Sequence, residues 1–191
     1  MKKIAFSMAL ATFVALSPVC AAAGDELPAG SIQELTGQGE GACPSMSLCL
    51  YQDHDLNAAK PARIWVFPVA EGRQDVSLKG NDAADRPSSG YLNAPKLGWA
   101  GYLFPDYTCG FEGNRGAEAI QFHGGRRLNS LDGVRGRAKR YGYFNYRGKW
   151  STEKKWGVTE QTLNLNDRAG CVSTGSWNST SDLRPPIDGT M

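Results

Sequence analysis

The sequence predicts an all-β fold in which short strands are joined by tight turns. The chain contains 23 glycines and 10 prolines together with frequent aromatic residues, a composition typical of such folds. No window shows apolar residues at helical spacing for three turns. The β-branched and aromatic residues of strands occur in segments 62–69, 100–104, 117–122 and 141–146, and segment 150–165 can supply one or two more. We expect Pro68 at a strand end or sheet edge, because proline has no N–H to donate to a neighbouring strand.

The first residues have the three parts of a secretory signal. Met1, Lys2 and Lys3 give a charged start, residues 4–16 are apolar, and three alanines follow at 21–23. We therefore expect a signal peptide over residues 1–23, cleaved to give a secreted or periplasmic protein. Since no later apolar run approaches the roughly eighteen residues that a membrane span needs, we expect no membrane span.

Cleavage would leave four cysteines, Cys43, Cys49, Cys109 and Cys171. An even number in an exported chain predicts two disulfide bonds. Three pairings are formally possible. Short-range closure favours Cys43 with Cys49, which leaves Cys109 with Cys171. The alternative is a cysteine metal site or a catalytic thiol, against which stands the absence of any Cys-x-x-Cys pair.

The mature chain is long enough for one domain with a substantial core. We expect this domain over residues 41–172 and expect it to be monomeric. Residues 24–40 are short of large apolar side chains and are predicted to form a flexible leader. Residues 173–191 are rich in Ser, Thr, Pro and Gly and are predicted to form a flexible tail.

One stretch carries a family resemblance. Cys-Leu-Tyr-Gln-Asp at 49–53 resembles the opening strand of βγ-crystallin-type Greek-key motifs, although Leu56 replaces an aromatic residue and Ala58 a turn glycine. Asp-Arg-Pro-Ser-Ser at 85–89 is similar to the signature that closes such a motif. The Cys-Pro-Ser that starts at Cys43 makes the chain most similar to bacterial secreted peptidase inhibitors with a crystallin-like domain.

The resemblance implies a double Greek-key sandwich with disulfides. A second motif would start within residues 102–116, where an aromatic residue and an acid at 111–112 are followed by glycines at 113 and 116. It would close at 131–136, where Arg135 and Gly136 stand in the places of the two serines. Two such motifs would form two sheets that share one core.

The resemblance also raises calcium binding, because crystallin-type sites use loop carbonyls and the closing signature of a motif. Asp85 and Ser88 match the ligand positions of the first motif, and the ion would need six to eight oxygen ligands. The alternative is that Ser88 and Ser89 hydrogen-bond a corner of the fold itself. We expect this alternative, and therefore no cofactor.

Positive charge is concentrated in one region, since residues 113–156 contain eleven bases and three acids. Basic residues interleaved with aromatic ones suit a polyanion of the cell envelope. The alternative is a solvated strand face with its aromatic side chains pointing inward, and nucleic acid is not an expected partner. The candidate binding residues are Arg126, Arg127, Arg137, Lys139 and Arg140.

The sequence shows no catalytic constellation. His54 and His123 lie in no nucleophile elbow, zinc-protease motif or triad setting, and Asp53 and Asp55 beside His54 are typical of a turn. A hydrolase built on two carboxylates distant in sequence stays open. We predict a non-catalytic binding protein, and the resemblance implies an inhibitor of an extracellular peptidase. The alternative is a structural or envelope-polymer-binding module.

Overall fold

The structure, a computed structural model, describes residues 30–110, 118–142, 145–146, 149–150 and 155–176. Within these residues the chain is built mainly from strands, with two short helical turns at Glu40–Ala42 and His54–Asn57, so the predicted all-β fold is confirmed. The expected signal peptide and the expected motif start at 111–116 lie outside the described residues. The strands are β1 (Gln33–Gly37), β2 (Ser47–Tyr51), β3 (Ala62–Pro68), β4 (Gln74–Ser77), β5 (Ser89–Asn93), β6 (Trp99–Phe104), β7 (Glu118–His123), β8 (Arg127–Leu128), β9 (Val134–Gly142), β10 (Asn145–Tyr146), β11 (Lys149–Trp150), β12 (Lys155–Leu163) and β13 (Cys171–Ser176).

Two antiparallel sheets contain most of these strands. The first sheet has the order β1-β3-β2-β5-β8 and the second the order β12-β9-β7-β6-β13-β4, while β10 and β11 form a separate hairpin. Two short strands do not pair with the strands next to them in sequence. β4 pairs with β13 in the second sheet, and β8 pairs with β5 in the first. Each sheet is therefore completed by a strand from the other part of the chain.

The strands β2 and β6 occupy equivalent places in the two sheets. β2 lies between β3 and β5 with β8 beyond β5, and β6 lies between β7 and β13 with β4 beyond β13. We call β2 to β5 the first half, and β6, β7, β8 and β13 the second half. In each half the first strand pairs with the second and the fourth, and the third strand belongs to the opposite sheet. β1 extends the first sheet, and β9 and β12 extend the second.

The main core lies between the two sheets. Strand residues alternate between faces, so Leu48 and Leu50 of β2 point toward the other sheet, where Leu103 and Phe122 are equally buried. A smaller cluster covers the outer face of each sheet. The outer cluster of the first sheet contains Tyr51, and that of the second sheet contains Tyr102 and Phe104.

Disulfide bonds join Cys43 to Cys49 and Cys109 to Cys171. The predicted presence of disulfide bonds is confirmed, and the pairs are those that short-range closure favours. The first bond closes a small ring that includes the start of β2, and the second fastens the loop after β6 to the start of β13. In the part of the chain that the structure describes, no helix has the length and apolar character needed to cross a membrane.

The predicted flexible leader over 24–40 was wrong for its second part, because residues 33–37 form β1. This strand pairs with β3 along its whole length, and Glu34 forms an ion pair with Arg63 at 3.6 Å. Leu35 packs against the outer cluster of the first sheet. A shortage of large apolar residues predicted a flexible leader, yet one leucine and backbone pairing with a single neighbour are enough for a strand at the edge of a sheet.

The predicted start of the flexible tail at residue 173 was also wrong, since β13 continues to Ser176. Ser173 and Thr174 are buried, and the Thr174 hydroxyl donates a hydrogen bond to the Pro68 carbonyl at 2.8 Å. The Ser- and Thr-rich composition is compatible with a central strand because β13 is paired on both sides. Pro68 itself is the last residue of β3, as its missing N–H predicts.

Candidate functional site

The turn after β2 has an uncommon backbone. Asp55, Leu56 and Asn57 have φ values of 53°, 58° and 59°, in the left-handed region, while Ala58 has an ordinary φ of −60°. The replacement of the expected turn glycine by Ala58 is therefore harmless, because the left-handed conformation falls on the residues before it. For residues with a Cβ this conformation costs about 1–2 kcal/mol each.

A dense set of hydrogen bonds holds this turn. The Asn57 side chain accepts from the Asp53 N–H at 2.8 Å and donates to the Gly37 carbonyl at 3.1 Å. The Ser89 hydroxyl accepts from the Leu56 N–H at 3.0 Å and donates to the Asp53 carbonyl at 2.6 Å. Ser89 thus hydrogen-bonds a corner of the fold, which was the alternative to a calcium site.

The backbone N–H groups of Asp85 and Ser88, the candidate calcium ligands, donate hydrogen bonds to other segments of the chain. Asp85 is exposed, and its N–H donates to the Ala169 carbonyl at 3.0 Å, whereas Ser88 is buried and its N–H donates to the Tyr51 carbonyl at 2.9 Å. The described residues contain no group of three or more His, Cys, Asp or Glu that could hold a metal ion.

The segment 167–171 takes the place in the second half that 85–89 takes in the first. Asp85 and Asp167 both have positive φ, at 56° and 53°, and the Asp167 N–H donates to the Pro87 carbonyl at 3.2 Å, matching the bond from Asp85 to Ala169. The expected closing signature at 131–136 instead leads into β9, so this prediction was wrong. Glycine and cysteine occupy the serine positions in 167–171, which removes the signal from the sequence.

The structure describes the side chains of three of the five candidate binding residues. Arg126 and Arg137 line one cleft on the second sheet, whereas Arg127 forms ion pairs with Glu40 at 3.4 Å and Asp55 at 3.5 Å beside the first sheet. Lys139 and Arg140 belong to β9, and their side chains lie outside the described part of the structure. Arg127 therefore lies apart from the surface that Arg126 and Arg137 share.

The cleft, with a volume of about 150 Å³, opens where β7 and β9 separate. These strands pair at Glu118 with Ala138 and at Ala119 with Arg137. Gln121 and His123 lie farther along β7, beyond the paired positions. The residues that line the cleft are Gln121, His123, Arg126, Arg135, Gly136, Arg137 and Glu160.

The cleft is rich in hydrogen-bond donors. Arg135 is paired with Glu160 at the exposed rim, and Arg126 donates to the backbone carbonyl of Gln121. Burial holds the pKa of the Arg126 guanidinium below its ordinary value. Gln121 Nε2 and Arg137 Nη1 are buried and have no hydrogen-bond partner among the described residues. With three arginines and one carboxylate, the lining carries a net positive charge.

A second exposed feature is the loop at 94–98, which links the two halves. Leu97 is 89% exposed, whereas large apolar residues elsewhere in the described chain are mostly buried. Pro95 and Lys96 beside it are exposed too, and Gly98 has φ of 94°. The loop thus presents a single leucine at the surface.

The base of this loop is rigidly held. The Asn93 side chain donates to the Cys43 carbonyl at 2.8 Å, which ties the loop to the small disulfide ring. Gly124 packs against the carbonyls of Ala94 and Pro95 so closely that a Cβ would lie 1.8 Å from the Pro95 oxygen. This loop was not predicted from the sequence. The available signal was an apolar residue placed between turn formers, Asn-Ala-Pro-Lys-Leu-Gly.

The two histidines lie apart. His54 is exposed in the turn after β2, and its neighbour Asp55 is engaged with Arg127. His123 ends β7 and lines the cleft. The turn predicted for the Asp-His-Asp segment is present.

Comparisons of this chain with protein-family models, with curated proteins and with solved structures find no match.

Proposed function

We propose that this chain is an exported, non-catalytic binding protein that inhibits an extracellular peptidase. The observation that carries the proposal is the loop at 94–98. Its Leu97 side chain is 89% exposed, and the residues at the start of the loop are held by a hydrogen bond and by close packing. A segment that enters a peptidase cleft needs an extended side chain for the specificity pocket and a backbone that is ordered before binding, since ordering on binding costs affinity.

Three features support this proposal. The first 23 residues have the pattern of an export signal, and the two disulfide bonds fit an oxidising compartment. The opening and closing segments of the first half resemble secreted inhibitors with a crystallin-like domain. The equivalent places of β2 and β6 are those expected of two crystallin-type motifs that complete one another.

The backbone of the loop is also restrained, as an inhibitor requires in order to resist cleavage by its target peptidase. Cleavage requires a backbone that opens locally into the active site of the peptidase. Contact of the Ala94 and Pro95 carbonyls with Gly124 restrains that opening, and the hydrogen bond from Asn93 to the Cys43 carbonyl restrains the residue before them. We assign Leu97 as the anchor of the inhibitory loop.

The test is an inhibition assay with the mature protein and a panel of secreted serine and metallo-peptidases, including enzymes whose specificity pocket takes leucine. We expect tight inhibition of at least one. Burial of a leucine is worth about 1.5–3 kcal/mol, so Leu97→Asp should weaken inhibition by about tenfold or more, whereas Leu97→Met should keep most of it.

Tyr107→Asp is the matched control, because Tyr107 is also an exposed apolar residue but belongs to another loop. It should leave inhibition unchanged. If no peptidase is inhibited at micromolar concentration and the protein is digested, the inhibitor proposal fails and an envelope-binding module takes its place. If Tyr107→Asp weakens inhibition as much as Leu97→Asp, the assignment of the loop is wrong.

A further inference from the structure

The cleft between β7 and β9 is separate from the loop at 94–98 in its chemistry. It is lined by cations and amide donors, and its floor is formed by Gln121, Arg126 and Arg137. Such a lining suits a polar or charged group better than an apolar side chain. It therefore requires an explanation of its own.

The strongest indication is a buried donor that the fold leaves unused. Gln121 is 7% exposed, and its Nε2 has no hydrogen-bond partner among the described residues. A buried N–H group without a partner costs about 1–3 kcal/mol, so such groups call for an acceptor. Arg137 Nη1 is in the same condition in the same cleft. Two residues that line one small space thus each carry a donor without a partner, which points to a ligand that accepts hydrogen bonds.

The charges specify the ligand further. Arg126, Arg135 and Arg137 bring three positive charges to the cleft, and Glu160 offsets one of them through its ion pair with Arg135 at the rim. Burial lowers the pKa of the Arg126 guanidinium. An anion in the cleft would offset the positive charge of the arginines and accept hydrogen bonds from the free N–H groups.

We propose that this cleft binds an oxyanion, the phosphate, sulfate or carboxylate group of a ligand. Arg137 and Gln121 donate hydrogen bonds to its oxygens, and Arg126 supplies charge from the floor. Guanidinium and amide donors are the groups that recognise such oxygens with directed, charge-assisted hydrogen bonds. A volume of about 150 Å³ holds one such group with the atoms that carry it, not a long polymer segment.

The test is isothermal titration calorimetry of the mature chain with inorganic phosphate, sulfate and acetate at constant low ionic strength. We expect saturable binding of at least one of the three. Preference for phosphate or sulfate would assign a tetrahedral group, and preference for acetate a carboxylate. Arg126→Gln and Arg137→Gln should each weaken binding by about tenfold or more, since charge-assisted hydrogen bonds are lost.

Arg127→Gln is a matched control, because Arg127 is the next residue in sequence but is paired with Glu40 and Asp55. It should leave the affinity unchanged. Glu160→Gln should strengthen binding, a gain that a folding defect cannot produce. Absence of saturable binding to all three anions overturns the proposal, and so does an equal loss of affinity in Arg127→Gln and Arg137→Gln.

Discussion

Ser89 and Cys171 hold the same position in the two sheets. Each is the first residue of its strand, and they pair with Tyr51 and Phe104, the last residues of β2 and β6. Ser89 holds the turn that follows β2 by accepting a hydrogen bond from the Leu56 N–H. Cys171 holds the loop that follows β6 by its disulfide bond to Cys109. Equivalent loops of the two sheets are thus held by a hydrogen bond in one sheet and by a disulfide bond in the other.

The first prediction concerns the two disulfide bonds. On the chain-entropy model a bond stabilises more when it closes a longer loop, and the sequence separations are 62 for Cys109–Cys171 and 6 for Cys43–Cys49. We expect replacement of Cys109 and Cys171 by serines to lower the free energy of unfolding by about 4 kcal/mol. Replacement of Cys43 and Cys49 by serines should lower it by about 2 kcal/mol. Denaturant unfolding of the two double variants measures both, and equal losses would contradict the entropic explanation.

The second prediction concerns Ser89. Ser89→Ala removes two hydrogen bonds and leaves the buried Leu56 N–H without its acceptor, so we expect a loss of about 1–3 kcal/mol in the free energy of unfolding. Ser45→Ala, at an exposed position, is the control and should change stability by less than about 0.5 kcal/mol. Similar stability of the two variants would show that the corner does not depend on Ser89.

The third prediction concerns the brace beneath the 94–98 loop. Gly124→Ala places a Cβ where the Pro95 carbonyl lies, so the loop must move. We expect a loss of stability of about 1–3 kcal/mol together with weaker peptidase inhibition. Gly41→Ala is the control, because a Cβ at Gly41 has no heavy atom within 4 Å. Full inhibition by Gly124→Ala would mean that the brace is not needed for binding.

The fourth prediction concerns the Tyr51 hydroxyl, which donates to the Gly39 carbonyl at 3.0 Å. Burial, and secondarily the negative charge of Glu40, raises the pKa of Tyr51 from 10.0 to about 12. The folded state thus favours the protonated phenol. The contribution of Tyr51 to the free energy of unfolding is complete below pH 10 and is lost as the pH rises toward 12. The two-unit shift corresponds to about 2–3 kcal/mol.

Denaturant unfolding across this pH range measures the effect, with Tyr51→Phe as the comparison. The wild-type protein should lose stability between pH 10 and 12 in excess of the variant. Parallel losses in both proteins would assign the alkaline instability to other groups.

The fold class was predictable from sequence because its signals are local. Strands such as β3 and β6 are rich in aromatic and aliphatic residues, and the spacing of Cys43 and Cys49 already favours one pairing. The exchange of β4 and β8 was not predictable. These strands are short and contain polar residues, Gln74–Ser77 and Arg127–Leu128, and their partners lie far away in sequence.

The candidate site was predictable in part for the same reason. Arg126 and Arg137 were selected by a local excess of positive charge, but that excess cannot tell them from Arg127, which is paired with Glu40 and Asp55 beside the first sheet. Gln121 carries no sequence signal, because its importance lies in being buried without a partner. The exposure of Leu97 likewise depends on which segments fold over it.

The exchange of β4 and β8 has a consequence for a molecule cut at the loop between its halves. Each disulfide bond lies within one half, so a single break at 94–98 yields two separate polypeptides. Each polypeptide nevertheless contributes a strand to the other's sheet and buries its share of one common core. The pieces are built to stay together, and if produced apart they should reassemble, which makes this chain a natural scaffold for split-protein complementation.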